Sequence, residues 1–82
     1  MDKAEKKAWR EAITDLIIAI GDDVGIKEEN QILMMMYLNT PRKIKRFSDW
    51  AKARTVDNHL TVTPEAVMHV VSQIERGDEV LD

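Results

Sequence analysis

The chain has 82 residues, enough for one domain with a single core, and its twelve Lys/Arg against fifteen Asp/Glu leave a formal charge of −3. It contains no cysteine, which excludes disulfide frameworks, thiolate zinc sites and cysteine nucleophiles. Its longest apolar run, Ile32 to Leu38, falls far short of the roughly 20 residues a membrane span needs, and its charged start lacks the form of a cleavable leader, so a soluble cytoplasmic protein with no membrane contact is expected.

Asp2 is placed to cap a first helix predicted over Lys3 to Ile20. Trp9, Ile13, Leu16, Ile17 and Ile20 fall on one face of it, with Lys6, Lys7, Arg10, Glu11 and Asp15 on the wet side. Gly21 is the expected stop, through a left-handed turn. Gly21 to Gly25 then reads as a short loop; its adjacent Asp22 and Asp23 lack the further oxygen ligands of a calcium loop, so a solvated turn is expected.

A second helix is predicted from Lys27 to Leu38, with Glu28 and Glu29 in the first turn, where the helix dipole favours negative charge. The run Ile32-Leu33-Met34-Met35-Met36-Tyr37-Leu38 is apolar all round, which requires enclosure by neighbours or by a partner. Because the chain has few other apolar residues, this segment is expected to be the central core; an adaptable methionine-rich binding face is the alternative.

Asn39 closes that helix and Thr40 opens the next with no linker between them. Thr40 is the cap and Pro41 the first residue, where its missing N–H costs nothing. The third helix, fading by Thr55 or Val56, carries the chain's positive charge. Residues 41–54 hold six Lys/Arg against Asp49 alone, a net +5, whereas the rest of the chain holds six against fourteen acids, a net −8. A local excess of this kind on an acidic body points to one specific anionic partner. Ile44, Phe47 and Ala51 give the helix an apolar seam, and Trp50 is expected beside it at the edge of the basic surface, able to stack on a base or on a partner side chain.

Val56 to Val62 is read as a connection, with Asp57-Asn58 as its turn and Leu60 and Val62 tucked inward. Thr63-Pro64-Glu65 repeats the cap, proline and acid of a helix start; Val67, Val70, Val71 and Ile74 form the apolar face, and Gly77 ends it. The expected architecture is all-α, a compact four-helix domain over residues 1–77 with an acidic tail at 78–82 and no strand pattern.

Chemistry is sparse. His59 and His69 have neither a third ligand at metal spacing nor a nucleophile, so no catalytic or metal site is expected. Phosphate binding is better supported: Arg42 combines a guanidinium fork with the free amides of a first turn. There is no GxxxxGK[ST] loop, so the chain can assist at a nucleotide without supplying the site.

From about Ala12 onward, the order of these features resembles the small helical lid that follows the nucleotide-binding core of AAA+ ATPases, nearest to DNA-acting members: the branch-migration motor of Holliday junctions and the target-selection helpers of transposition. The matching residues are Ile32 to Leu38 for the apolar helix, Asn39-Thr40-Pro41-Arg42 for the turn, Lys43 to Arg54 for the basic helix, and Leu60-Thr61-Val62-Thr63-Pro64-Glu65 before the last helix. The resemblance implies that Arg42 is a nucleotide-sensing arginine near the terminal phosphate, and that Lys43, Lys45, Arg46, Trp50, Lys52 and Arg54 contact DNA or a partner protein. It implies no cofactor bound by this chain alone, with ATP held only together with an AAA+ core, which would be the protein partner. No Walker motif precedes the region, which departs from the family's full pattern. A stand-alone adaptor or inhibitor docking through its helical surface is the competing expectation, and a histone-like or helix-turn-helix DNA binder a weaker third, since the acidic remainder repels duplex DNA except along one face.

Overall fold

A computed structural model describes residues 2–77 of the chain. The elements in order are α1 (Lys3–Val24), α2 (Glu28–Tyr37), α3 (Pro41–Ala53), β1 (Thr55–Val56), β2 (His59–Leu60) and α4 (Pro64–Arg76). The expected all-α, four-helix architecture is the one found; the acidic tail at 78–82 lies outside the described residues.

Helix starts follow local chemistry. Asp2 accepts the Glu5 N–H at 2.8 Å, Thr40 Oγ1 accepts the Lys43 N–H at 3.3 Å, and Thr63 Oγ1 accepts the Ala66 N–H at 3.1 Å. Pro41 and Pro64 occupy the first turns of α3 and α4. α2 has no side-chain cap, and Glu28 and Glu29 in its first turn supply the favourable charge instead.

The first helix continues a turn beyond the expected stop. Gly21 is helical and buried; the left-handed residue that closes α1 is Gly25, at φ 88°. Both the Gly25 and Ile26 N–H groups bond the Gly21 carbonyl at 2.8 Å, the reach-back that ends a helix on glycine. Gly21 serves another purpose: a Cβ there would overlap the Gln31 side chain, so glycine leaves room for that side chain against α1. The Gln31 amide uses that space to donate to the Ile26 carbonyl at 3.0 Å, tying the α1–α2 loop to α2.

Packing proceeds as α1 on α2, α2 on α4 and α3 on α4, with β2 against α1. The buried side chains form one cluster, in which Ile17, Met34, Leu38, Phe47, Val67, Val71 and Ile74 are fully enclosed. Trp9 is half-buried and lies outside that cluster.

The expectation of a wholly buried second helix is corrected. Met34 and Leu38 are core, but Ile32 is 52% exposed and Met36 62% exposed. Ten residues of helix present every direction, and α1 and α4 cover only part of the circumference.

The connection after α3 also differs from a plain loop. β1 and β2 pair antiparallel, Thr55 with Leu60 and Val56 with His59, around Asp57 and Asn58 at φ 51° and 65°. Two positive φ angles are what a two-residue hairpin turn demands, and Asp and Asn tolerate them best among residues with a Cβ. Two-residue strands leave no alternation for a sequence reading to detect. No helix among the described residues is long and apolar enough to cross a membrane.

Candidate functional site

α3 is strongly amphipathic by construction. Phe47, Trp50 and Ala51 are buried and Ile44 is half-buried against the core. At about 100° per residue, Arg42, Lys45, Arg46, Asp49 and Lys52 therefore fall on the opposite side. Arg42, Lys45, Asp49 and Lys52 are exposed and Arg46 is half-buried. Lys45 and Asp49 are paired at 2.9 Å, with side chains 76% and 60% exposed, so the pair itself contributes little to stability. Its larger effect is on the field. Four cations and one acid leave the outward face at a net +3, with the acid in the middle.

At its N-terminal end this face runs into a concavity. Thr40, Arg42, Lys43 and Arg46 of the α3 start, with Ile74 and Gly77 of the α4 end, line a depression of about 260 Å³. The first turn of α3 adds the positive end of its dipole. The opposing end of α4 is blunted, because the Gly77 N–H engages the Gln73 and Ile74 carbonyls. The result is a cationic recess able to hold a phosphate-sized anion, opening onto a basic ridge.

The structure divides the residues expected here. Arg42, Lys45, Arg46 and Lys52 share the ridge; Lys43 sits at its flank, where Nζ donates to Asn39 Oδ1 at 3.3 Å. Trp50 is corrected: it is 8% exposed, 6.0 Å centroid to centroid from Phe47, and its ring is covered by the Arg54 guanidinium at 4.8 Å. A tryptophan held this way is a core residue with no open face for a base. Arg54 is likewise committed to the fold. Its Nη1 donates to the Trp50 carbonyl at 3.0 Å, while its own carbonyl accepts the Thr61 N–H at 2.9 Å and the Thr61 hydroxyl at 2.8 Å.

Three features escaped the sequence reading. The recess depends on Ile74 and Gly77, which approach α3 only through tertiary packing. Asp23, expected in a solvated turn, lies on the last turn of α1 and accepts from His59 Nδ1 and from the Leu60 N–H, both at 2.7 Å. These donors hold its carboxyl below the ordinary 3.8, the His59 hydrogen bond contributing most and the Leu60 amide next. The third is a second depression, about 420 Å³, between α2 and α4, lined by Asn30, Pro64, Glu65, Met68, His69 and Ser72; it has no cation of fixed charge. Among the described residues no group of three His, Asp or Glu side chains is arranged to hold a metal.

No protein-family model matches the chain, and no curated protein or solved structure matches it either.

Proposed function

We propose that this chain is a non-catalytic, lid-like helical domain of a DNA-acting AAA+ ATPase of the recombination or transposition-helper kind, which reads nucleotide state through Arg42 and contacts the DNA phosphate backbone through Lys45, Arg46 and Lys52. The observation that carries the reading is the joining of two cation-lined shapes on one helix: a recess at the N-terminus of α3 and a ridge running along it. A recess suits a terminal phosphate and a ridge suits a polymer of phosphates. Lys43 bridges the two, while Arg54 and Trp50 support the ridge from beneath by fixing the C-terminal end of α3 to the hairpin and the core. The ATP-hydrolysing machinery belongs to the AAA+ core in this reading, and the recess between α3 and α4 would face it.

Fluorescence anisotropy of a labelled duplex, read between about 50 and 200 mM salt, tests the DNA half of the proposal, since the release of counterions on binding makes affinity fall as salt rises. Lys45→Ala with Arg46→Ala should lower affinity at least tenfold at low salt and flatten the log–log salt slope by about 0.9 for each phosphate that is no longer neutralised. Absence of binding at low salt sinks the DNA assignment.

A further inference from the structure

α1 outruns the core it helps to build. Its first buried residue is Ile13, so Lys3 to Ala12, about 15 Å of helix, include no buried side chain and only Trp9 is half-buried. Of the six Lys/Arg outside residues 41–54, four are gathered on this overhang: Lys3, Lys6, Lys7 and Arg10, all exposed. At the helical repeat they share an arc of about 100° along about 10 Å of axis, and Glu5 and Glu11 fall outside it. Lys6, Arg10, Ile13 and Ile17 are spaced i, i+4, i+7 and i+11, so two of the cations extend the line of the core instead of standing on the wet side expected of them. The apolar stripe becomes a basic one where the helix leaves the core.

This arrangement works against the fold. Lys3 with Lys6, Lys3 with Lys7, Lys6 with Arg10 and Lys7 with Arg10 are like-charge neighbours one turn apart, where cations repel, and Lys3 stands in the first turn, where the helix dipole disfavours positive charge. Asp2 and Glu11 are a turn away from Lys6 and Lys7, yet Asp2 is engaged by the Glu5 N–H, and among the described residues none of the four cations has an ion pair or a side-chain hydrogen bond. A helix that only needed to be wet would alternate its signs, since Glu and Lys at this spacing attract. An anionic polymer laid along the arc turns the repulsion into attraction. A protein surface matches less well: contacts between proteins are anchored by buried apolar and aromatic side chains, and the one large apolar residue of the overhang, Trp9, is already half-buried at the margin of the arc. Backbone phosphates need only cations. We propose that the overhanging start of α1 is a second DNA-contacting surface, which grips the phosphate backbone of a duplex through Lys3, Lys6, Lys7 and Arg10 in addition to the ridge on α3. The cationic arc stands on α1 alone; the choice of duplex DNA as its polymer rests on the function proposed above.

The test is anisotropy of a labelled duplex with the full chain, comparing the parent with Lys6→Gln plus Arg10→Gln, which removes two charges and keeps good helix formers. The log–log salt slope should flatten by about 1.8, and affinity at about 50 mM salt should fall at least tenfold. Adding Lys3→Gln and Lys7→Gln should flatten the slope further by a similar amount. The same losses should appear in a Lys45→Ala, Arg46→Ala background, so the two surfaces are scored separately. The melting temperature should not fall, because none of the four cations has a partner to lose. A slope indifferent to the four α1 substitutions overturns the inference and leaves the α3 ridge standing. A slope that responds to α1 and not to α3 upholds it and removes the ridge. Absence of duplex binding at low salt overturns both. A melting temperature lowered by several degrees assigns the cations to the fold and overturns the inference as well. So does displacement of the duplex by poly-L-glutamate as effective as by unlabelled duplex at matched charge, which gives the surface to an acidic protein.

Discussion

Asp23 and His59 are separated by 36 residues and joined Oδ1 to Nδ1 at 2.7 Å, so the last turn of α1 holds the α3–α4 hairpin in place. An ionised carboxylate only accepts, so Nδ1 carries the hydrogen of this bond. The second carboxylate oxygen accepts the Leu60 N–H at 2.7 Å, from the strand that carries His59. Leu60 is thereby fixed where it packs on the core.

The pH dependence follows from the sign of the Asp23 shift. Its folded carboxyl titrates below the ordinary 3.8, so its contribution is present above that value and is lost as pH falls through the folded midpoint. His59→Ala should move the Asp23 midpoint part of the way back toward 3.8, the Leu60 amide accounting for the remainder. Asp23→Ala should flatten the acid limb of a plot of Tm against pH. Carboxyl carbon NMR titration and thermal melts check the two statements, and an Asp23 midpoint indifferent to His59 would assign the shift to another cause.

Two glycines near the end of α1 are predicted to respond differently to alanine. At Gly25, φ 88° makes any Cβ costly, and Gly25→Ala should destabilise by about 1–2 kcal/mol. At Gly21 two effects compete. Alanine gains about 1 kcal/mol over glycine in a helix interior, but its methyl displaces Gln31, whose hydrogen bond to the Ile26 carbonyl is worth about 1 kcal/mol. Gly21→Ala should therefore be nearly neutral alone and stabilising by about 0.5–1 kcal/mol in a Gln31→Ala background. Urea denaturation of the four variants gives the coupling; additivity would show that the side chain yields at no cost.

The same pair of glycines shows where a sequence stops informing. The starts at Thr40-Pro41 and Thr63-Pro64 and the stop at Gly77 were legible because a cap and the helix end it serves are a few residues apart. Gly21 and Gly25 offer the same local signal four residues apart, and only the structure shows that Gly25 takes the left-handed turn while Gly21 is helical beneath Gln31. Burial of α2 is hidden from the sequence for a related reason: an all-apolar helix is a demand for neighbours, and only the packing reveals that Ile32 and Met36 are left largely exposed. On the candidate site, the outward cations could be read from helical spacing. The withdrawal of Trp50 from the surface could not, because it comes from tertiary packing into the core cluster, with Arg54 over the ring.

Phe47 lies at the centre of the cluster, with no exposure and an aromatic contact to Trp50. Phe47→Ala should cost about 3–5 kcal/mol. A domain of this length has a total stability on the order of 4–12 kcal/mol, so the variant is expected to be largely unfolded near 37 °C if the parent lies at the bottom of that range. Tryptophan emission reports it, because removal of the stacked partner admits water to Trp50 and shifts its spectrum to the red. A blue-shifted, cooperative fold in the variant would show that the cavity collapses without harm.

Asp49 is the residue whose removal should strengthen the proposed activity. It stands among Arg42, Lys45, Arg46 and Lys52 and holds the Lys45 ammonium at 2.9 Å, withdrawing one cation from any phosphate that approaches the ridge. Asp49→Asn keeps the shape of the side chain and removes its charge. Both partners of the pair are largely exposed, so the melting temperature should change little. Freeing Lys45 to neutralise one more phosphate should steepen the salt dependence of duplex binding by about 0.9 in log–log slope. In Lys45→Ala the effect of Asp49→Asn on slope should disappear, leaving only the weaker long-range gain in field. Anisotropy titrations of the parent, the two single variants and the double variant decide it. An unchanged slope in Asp49→Asn would place the bound DNA off the Lys45 side of α3, even where binding itself is seen.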